Sequence, residues 1–170
     1  IVTSLLQIVY TAIISRLLSP KDFGLLAIAQ IIINFAIEFG TMGLRQAVIQ
    51  KRDLSKEDIR VSFTITMTLS IILTIVIWYS APYWAAFFDP ENDSITLIIR
   101  VLSISFVVRG VAITANALMI RELMFREDTI NSIISYVFGF IVIGISCAAL
   151  NFGVWSLVYA QLGQLLSSSL

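Results

Sequence analysis

Along the chain, long apolar runs alternate with short polar interruptions, and the runs have the length of a bilayer crossing. A spanning helix needs about 20 mostly apolar residues. Six segments fit: Ile1–Leu18, Phe23 to about Ile49, a stretch within the uncharged run Val61–Phe88, Ser94 to about Ile120, Ile130–Leu150, and residues 154–170. Their connections are short, which predicts antiparallel neighbours in an all-α, polytopic transmembrane helix bundle. Residues 1–170 read as a single transmembrane lobe. Ile1 and the run Ser167–Leu170 both fall inside apolar segments, so the expectation is a fragment of a longer chain. A signal peptide over residues 1–15 would need a basic start and a small-residue cleavage site, and neither is visible.

The boundaries carry capping chemistry. Ser19-Pro20-Lys21-Asp22 places a hydroxyl cap, a first-turn proline and an acid three residues on. Ser55-Lys56-Glu57-Asp58 repeats the pattern before the third helix, and Asp89-Pro90 can open the fourth. Asn151-Phe152-Gly153 reads as a tight turn, with Gly153 free to take positive φ. Pro82 is expected to end or kink the third helix. Around it Trp78, Tyr79, Tyr83 and Trp84 form an aromatic cluster of the kind that favours the headgroup level. Gly144 and Ala148 make a small-xxx-small pair, a weak signal of close helix approach.

Composition sharpens this reading. The chain is 58% hydrophobic and 13% charged, about half the charge of a soluble domain. Lys plus Arg and Asp plus Glu number 11 each, so zero net charge implies no nucleic-acid partner. There is no His, and Cys147 is alone in an apolar run. Imidazole switching, His-based triads, disulfides and Cys metal clusters are therefore excluded. No paired acids, nucleophile–base set or phosphate-cradling glycine loop is present. The expectation is a protein that is not an enzyme and needs no metal or cofactor.

Polar groups inside the apolar segments are the candidate chemistry. Gln30, Asn34, Glu38, Thr41 and Arg45 recur at intervals of about one helical turn, forming one stripe on the second helix. A carboxylate there should face protein or a wet cavity. Lining a cavity and hydrogen-bonding to neighbouring helices both remain open. Arg109 lies near the middle of the fourth helix, where an Arg costs ~2.5–3.5 kcal/mol on insertion scales. Ser105 and Asn116 share its face. Arg109 fits a functional cation or a fixed ion pair equally well. Arg100 sits nearer the other end and can snorkel as an interfacial anchor. Gln161, Gln164 and Ser168 form a milder polar face on the sixth helix.

Four stretches together resemble a known family: Arg16–Gly24 (RLLSPKDFG), Gly43–Gln50 (GLRQAVIQ), Ala117–Arg126 (ALMIRELMFR) and Asn151–Leu157 (NFGVWSL). Their order and spacing look like the polysaccharide transporter, or O-antigen flippase-like, family of the multidrug/oligosaccharidyl-lipid/polysaccharide flippase superfamily. The resemblance covers essentially the whole chain, as the amino-terminal half of a protein of twelve or more helices. It implies one of two helix lobes around a central cavity opened alternately to each side. The implied cargo is an undecaprenyl-pyrophosphate-linked oligosaccharide, flipped across the bacterial inner membrane with the bilayer and a carboxy-terminal half as partners. Candidate substrate-binding residues are Arg109, Glu38, Asn34, Gln30, Arg45 and Asn116. In the family an acid often precedes the Gly-Leu of the second helix, where this chain has Thr41. Glu38 lies one turn earlier, and no catalytic residue is carried over. A cation-coupled multidrug antiporter of the same superfamily would want a carboxylate-lined cavity. Glu38 offers one acid, but Arg109 argues against cationic drugs. A non-transporting membrane scaffold would need every intramembrane charge paired.

Loop charge sets the orientation. The connections after the second and fourth helices carry Arg45, Lys51, Arg52, Lys56, Arg60, Arg121 and Arg126, while the odd-numbered connections carry only Arg16 and Lys21. The positive-inside rule puts the even connections in the cytoplasm. A topology reporter inserted after Lys56 is expected to behave as cytoplasmic and one after Asn92 as periplasmic. Opposite labelling at either site would reverse the orientation.

Overall fold

In the computed structural model, residues 2–41, 56–88, 94–112 and 125–169 are described. They form six helical rods: α1 (Val2–Leu17), α2 (Pro20–Thr41), α3 (Lys56–Phe88), α4 (Ser94–Ala112), α5 and α6 (Val154–Ser168). α4 has a turn at Ile104. α5 runs through Phe125–Tyr136, a π-helical stretch Val137–Gly144 and a last segment Ile145–Ala149. The all-α expectation holds. By length and composition four helices can cross a membrane, with spans Pro20–Ile37, Glu57–Phe88, Ser94–Ala112 and Thr129–Ala149. α1 and α6 are shorter, at 16 and 15 residues.

The helix ends follow local chemistry. The Ser19 amide and hydroxyl both donate to Asp22 Oδ2, at 3.0 and 2.7 Å, closing a capping box with Pro20 as the first helical residue. At the other end, Asn151 and Gly153 take φ of 60° and 55° in the tight turn between α5 and α6. Asn tolerates this region and Gly pays no steric cost there. Ser55 of the second box and Asp89-Pro90 lie outside the described residues, and Lys56 is the first described residue of α3. Of the two outcomes expected at Pro82, an end or a kink, the first is overturned. The proline does not end α3, which continues six residues further to Phe88.

Two apolar clusters hold the rods together. In the first, Ala29, Ile32, Ile33 and Ala36 of α2 meet the fully buried Ile95, Ile98, Ile99 and Leu102 of α4, with Ile77 and Ala81 of α3 and Val158 of α6. In the second, Tyr10, Ile14 and Leu18 from the α1 end of the lobe pack on Tyr136 and Ala148 of α5 and Leu157 of α6. Leu26 of α2 packs against both. α6 is the hub, touching α5, α2 and α4. The long outer face of α3, including Ile71, Ile75, Tyr79, Tyr83 and Phe87, remains exposed, as a lipid-facing surface requires.

Small residues decide how closely the rods approach. A Cβ at Gly139 would stand 2.6 Å from Gln164 Cα and 2.7 Å from the Ala160 carbonyl oxygen, so α5 and α6 meet backbone to backbone. Gly144 sits against Ala160 and the Tyr10 hydroxyl, at 3.0 and 3.1 Å from the position its Cβ would take. The small-xxx-small pair is thus part of a tight seam, with Ala148 also buried. The π-helical stretch begins and ends beside these glycines. Asn131 Nδ2 donates to the Ser168 carbonyl at 3.1 Å, pinning the far end of the same hairpin.

Gly139→Ala is expected to cost ~1–3 kcal/mol, since it forces backbone apart, and to lower the melting temperature in detergent. Gly24 has open space around it. Gly24→Ala should be neutral or stabilise by at most about 1 kcal/mol through helix propensity. Equal melting temperatures for the two variants would contradict the seam.

Candidate functional site

Three groups of polar residues inside the bundle bear on the candidate site. The first joins α2 to α6. Gln30 Nε2 donates to Gln161 Oε1 at 3.2 Å, with both side chains half-buried. Gln30, read from sequence as part of a stripe on α2, thus has a partner in the sixth helix. Each amide offers two hydrogens and two lone pairs, so this one bond leaves further hydrogen-bonding capacity on both side chains. Asn34, one turn further along α2, is exposed. Glu38 falls within α2, but its side chain lies outside the described residues. Arg45 and Asn116 lie wholly outside them.

The second group is on α4. Arg109 is half-buried, and its Nε is fully enclosed without a hydrogen-bond partner. One turn back on the same face, Ser105 is 1% exposed, and its Oγ is also unpartnered. Arg109 makes no ion pair with any described residue. A guanidinium carries five N–H donors in a rigid fork suited to carboxylate or phosphate oxygens. With its Nε enclosed and no partner for it among the described residues, one of these donors goes unsatisfied at an energetic cost.

The third group is a hydroxyl seam between α3 and α4, which the sequence reading did not single out. Thr66 and Ser70 are buried, and the Thr74 hydroxyl lies 2.8 Å from the Ser70 carbonyl and 3.2 Å from that of Ser103. Gly110 rests on Ser70, where a Cβ would collide with the Ser70 side chain. The four-residue spacing of Thr66, Ser70 and Thr74 is a readable signal for one helix face. Arg109 immediately precedes Gly110 in the chain. On α1, Ser4, Gln7, Thr11 and Ser15 line an open groove of about 500 Å³ that includes none of the predicted site residues. Among the described residues no group of three or more His, Cys, Asp or Glu could hold a metal ion.

A helix-only bundle with membrane-length apolar spans and buried, partly unsatisfied polar groups defines a polytopic integral membrane protein. Comparison with known proteins then gives the family. The chain matches the polysaccharide biosynthesis protein family over residues 13–170, and it belongs to that family. It is 28% identical over 158 residues to the succinoglycan biosynthesis transport protein ExoT of Rhizobium meliloti (strain 1021), covering 92% of this chain and 31% of ExoT. It is 24% identical over 165 residues to the lipopolysaccharide biosynthesis protein WzxC of Escherichia coli (strain K12), covering 96% and 32%. An uncharacterized membrane protein in the cps region of Klebsiella pneumoniae is 29% identical over 165 residues, covering 89% and 32%. The chain spans about a third of the length of these curated relatives, a smaller share than the half the resemblance implies. No solved structure matches it.

The Gln30–Gln161 bond should behave as a coupled pair. Gln30→Leu and Gln161→Leu are each expected to destabilise the bundle, and the double variant by less than the sum. The coupling should be ~0.6 kcal/mol, at most about 1.7 kcal/mol. Thermal unfolding of both singles and the double measures it.

Proposed function

We propose that this chain forms a helix lobe of a bacterial inner-membrane transporter, not an enzyme, that flips a lipid-linked oligosaccharide by alternating access. The cargo is an undecaprenyl-pyrophosphate-linked repeat unit, and the lobe works against the carboxy-terminal part of the same protein. The observation that carries this reading is Arg109, a half-buried cation in a spanning helix whose Nε is enclosed with no partner among the described residues. Kinship with a transport protein of polysaccharide biosynthesis supports it.

The physics is coherent. An oligosaccharide headgroup cannot enter hydrocarbon alone, because each unsatisfied polar group costs several kcal/mol. A polar groove between lobes replaces its hydration while the lipid tail stays in the bilayer. Gln30, Asn34 and Asn116 supply amide hydrogen bonds to sugar hydroxyls. Arg109 and Arg45 supply charge-assisted bonds to pyrophosphate or an acidic sugar. Glu38 tunes that charge. The even-numbered, basic connections face the cytoplasm.

Arg109→Ala is expected to abolish surface polysaccharide while membrane abundance stays normal. Arg109→Lys should keep part of the activity, since charge survives and the bidentate fork is lost. A structural pair with Glu38 predicts the reverse: Arg109→Ala lowers abundance, and Glu38→Ala in the same chain restores it. Normal export by a stably inserted Arg109→Ala protein would reject the cargo role.

A further inference from the structure

Pro82 lies inside α3, and the helix runs on through it. A proline has no amide hydrogen, so the carbonyl four residues back loses its helical partner. That carbonyl belongs to Trp78. In hydrocarbon or at its edge a stranded carbonyl is costly, and helices with internal proline survive where a neighbour supplies the missing donor. Here the donor comes from α4. Arg100 Nε donates to the Trp78 carbonyl at 3.3 Å, and the same guanidinium lies over the Trp78 ring, 5.7 Å from its centroid. The Arg100 carbonyl in turn accepts from Ser103 Oγ at 2.7 Å.

We propose that Arg100 is a positioning residue, a substitute donor for the amide that Pro82 lacks, and that it latches the Phe88 end of α3 to α4. Sequence alone reads Arg100 as a snorkelling anchor. The geometry gives it a directed task at one carbonyl. Two features make the latch specific. The guanidinium both donates and stacks, so its plane and its charge are used together. The latched segment carries Trp78, Tyr79, Tyr83 and Trp84, all exposed, so the latch sets where the aromatic cluster meets the interface. With the latch closed, α3 and α4 move as one body. With it open, Pro82 is a break at which the last turns of α3 can swing.

The test is a double-mutant cycle in the full-length membrane protein. Arg100→Ala is expected to lower the melting temperature by roughly 3–6 °C, as for a lost hydrogen bond to a charged group. Pro82→Ala restores an amide that bonds the Trp78 carbonyl within α3. In that background the Arg100→Ala drop should shrink by at least half. A drop that shrinks by less than half overturns the proposal. Should Pro82→Ala fail to insert, amide exchange by mass spectrometry decides on Arg100→Ala alone. Faster exchange in residues 79–88, with residues 57–70 unchanged, supports the latch. Unchanged exchange in residues 79–88 overturns it.

Discussion

The contact on which the lobe depends is the backbone-to-backbone approach of α5 and α6 at Gly139. Within a bilayer, apolar side chains gain nothing by leaving lipid for protein, because lipid tails are equally apolar. Association must come from close packing and from hydrogen bonds between helices. At Gly139 the two backbones meet directly, while Gly144 rests on Ala160 and Gly163 takes the Ile143 side chain. α6 is then fixed in place as the hub that α2 and α4 also touch. The tight turn at Asn151 and Gly153 holds one end of this hairpin, and Asn131 on the Ser168 carbonyl holds the other.

Around that seam, polar groups are treated in two distinct ways. Most are satisfied by a specific partner. Gln30 is bonded to Gln161, Thr74 lies against the Ser70 and Ser103 carbonyls, and Arg100 serves the carbonyl that Pro82 strands. Arg109 Nε, Ser105 Oγ and the Tyr10 hydroxyl are the contrast, enclosed with no partner among the described residues, and the first two share one face of α4. Buried polar groups are nearly always paired. The Arg109 Nε and the Ser105 hydroxyl, one turn apart, both lack a partner among the described residues. That contrast makes α4 the centre of the functional proposal.

Much of the architecture was legible from sequence. The apolar runs located all six rods. The capping box at Ser19 and Asp22 and the turn at Gly153 followed from rules that involve only neighbouring residues. Four blocks of sequence were enough to point to the family. Other features were not legible. Pro82 reads as a helix end or kink because its missing amide is a local fact, while the guanidinium that compensates for it comes from another helix. The π-helical stretch of α5 has the composition of any spanning helix, and its wider turn adjoins the glycine seam with α6. Among the candidate residues, the stripe position of Gln30 was readable but its partner was not. An amide in an apolar helix announces a need for a hydrogen bond without saying which neighbour meets it.

The sequence by itself therefore determined the class: a membrane-embedded, all-helical chain whose apolar lengths match a bilayer and whose helix ends carry their own stop signals. These are one-dimensional properties, fixed by composition, periodicity and contacts a few residues apart. The tertiary structure decided which polar side chains are paired and which stand alone. It gave Gln30 a partner in α6, set Arg100 on the Trp78 carbonyl in α3, and left the Nε of Arg109 enclosed without one. The reason is physical. A hydrogen bond between helices depends on their rotation and spacing, and the close approach of small residues far apart in the chain sets both.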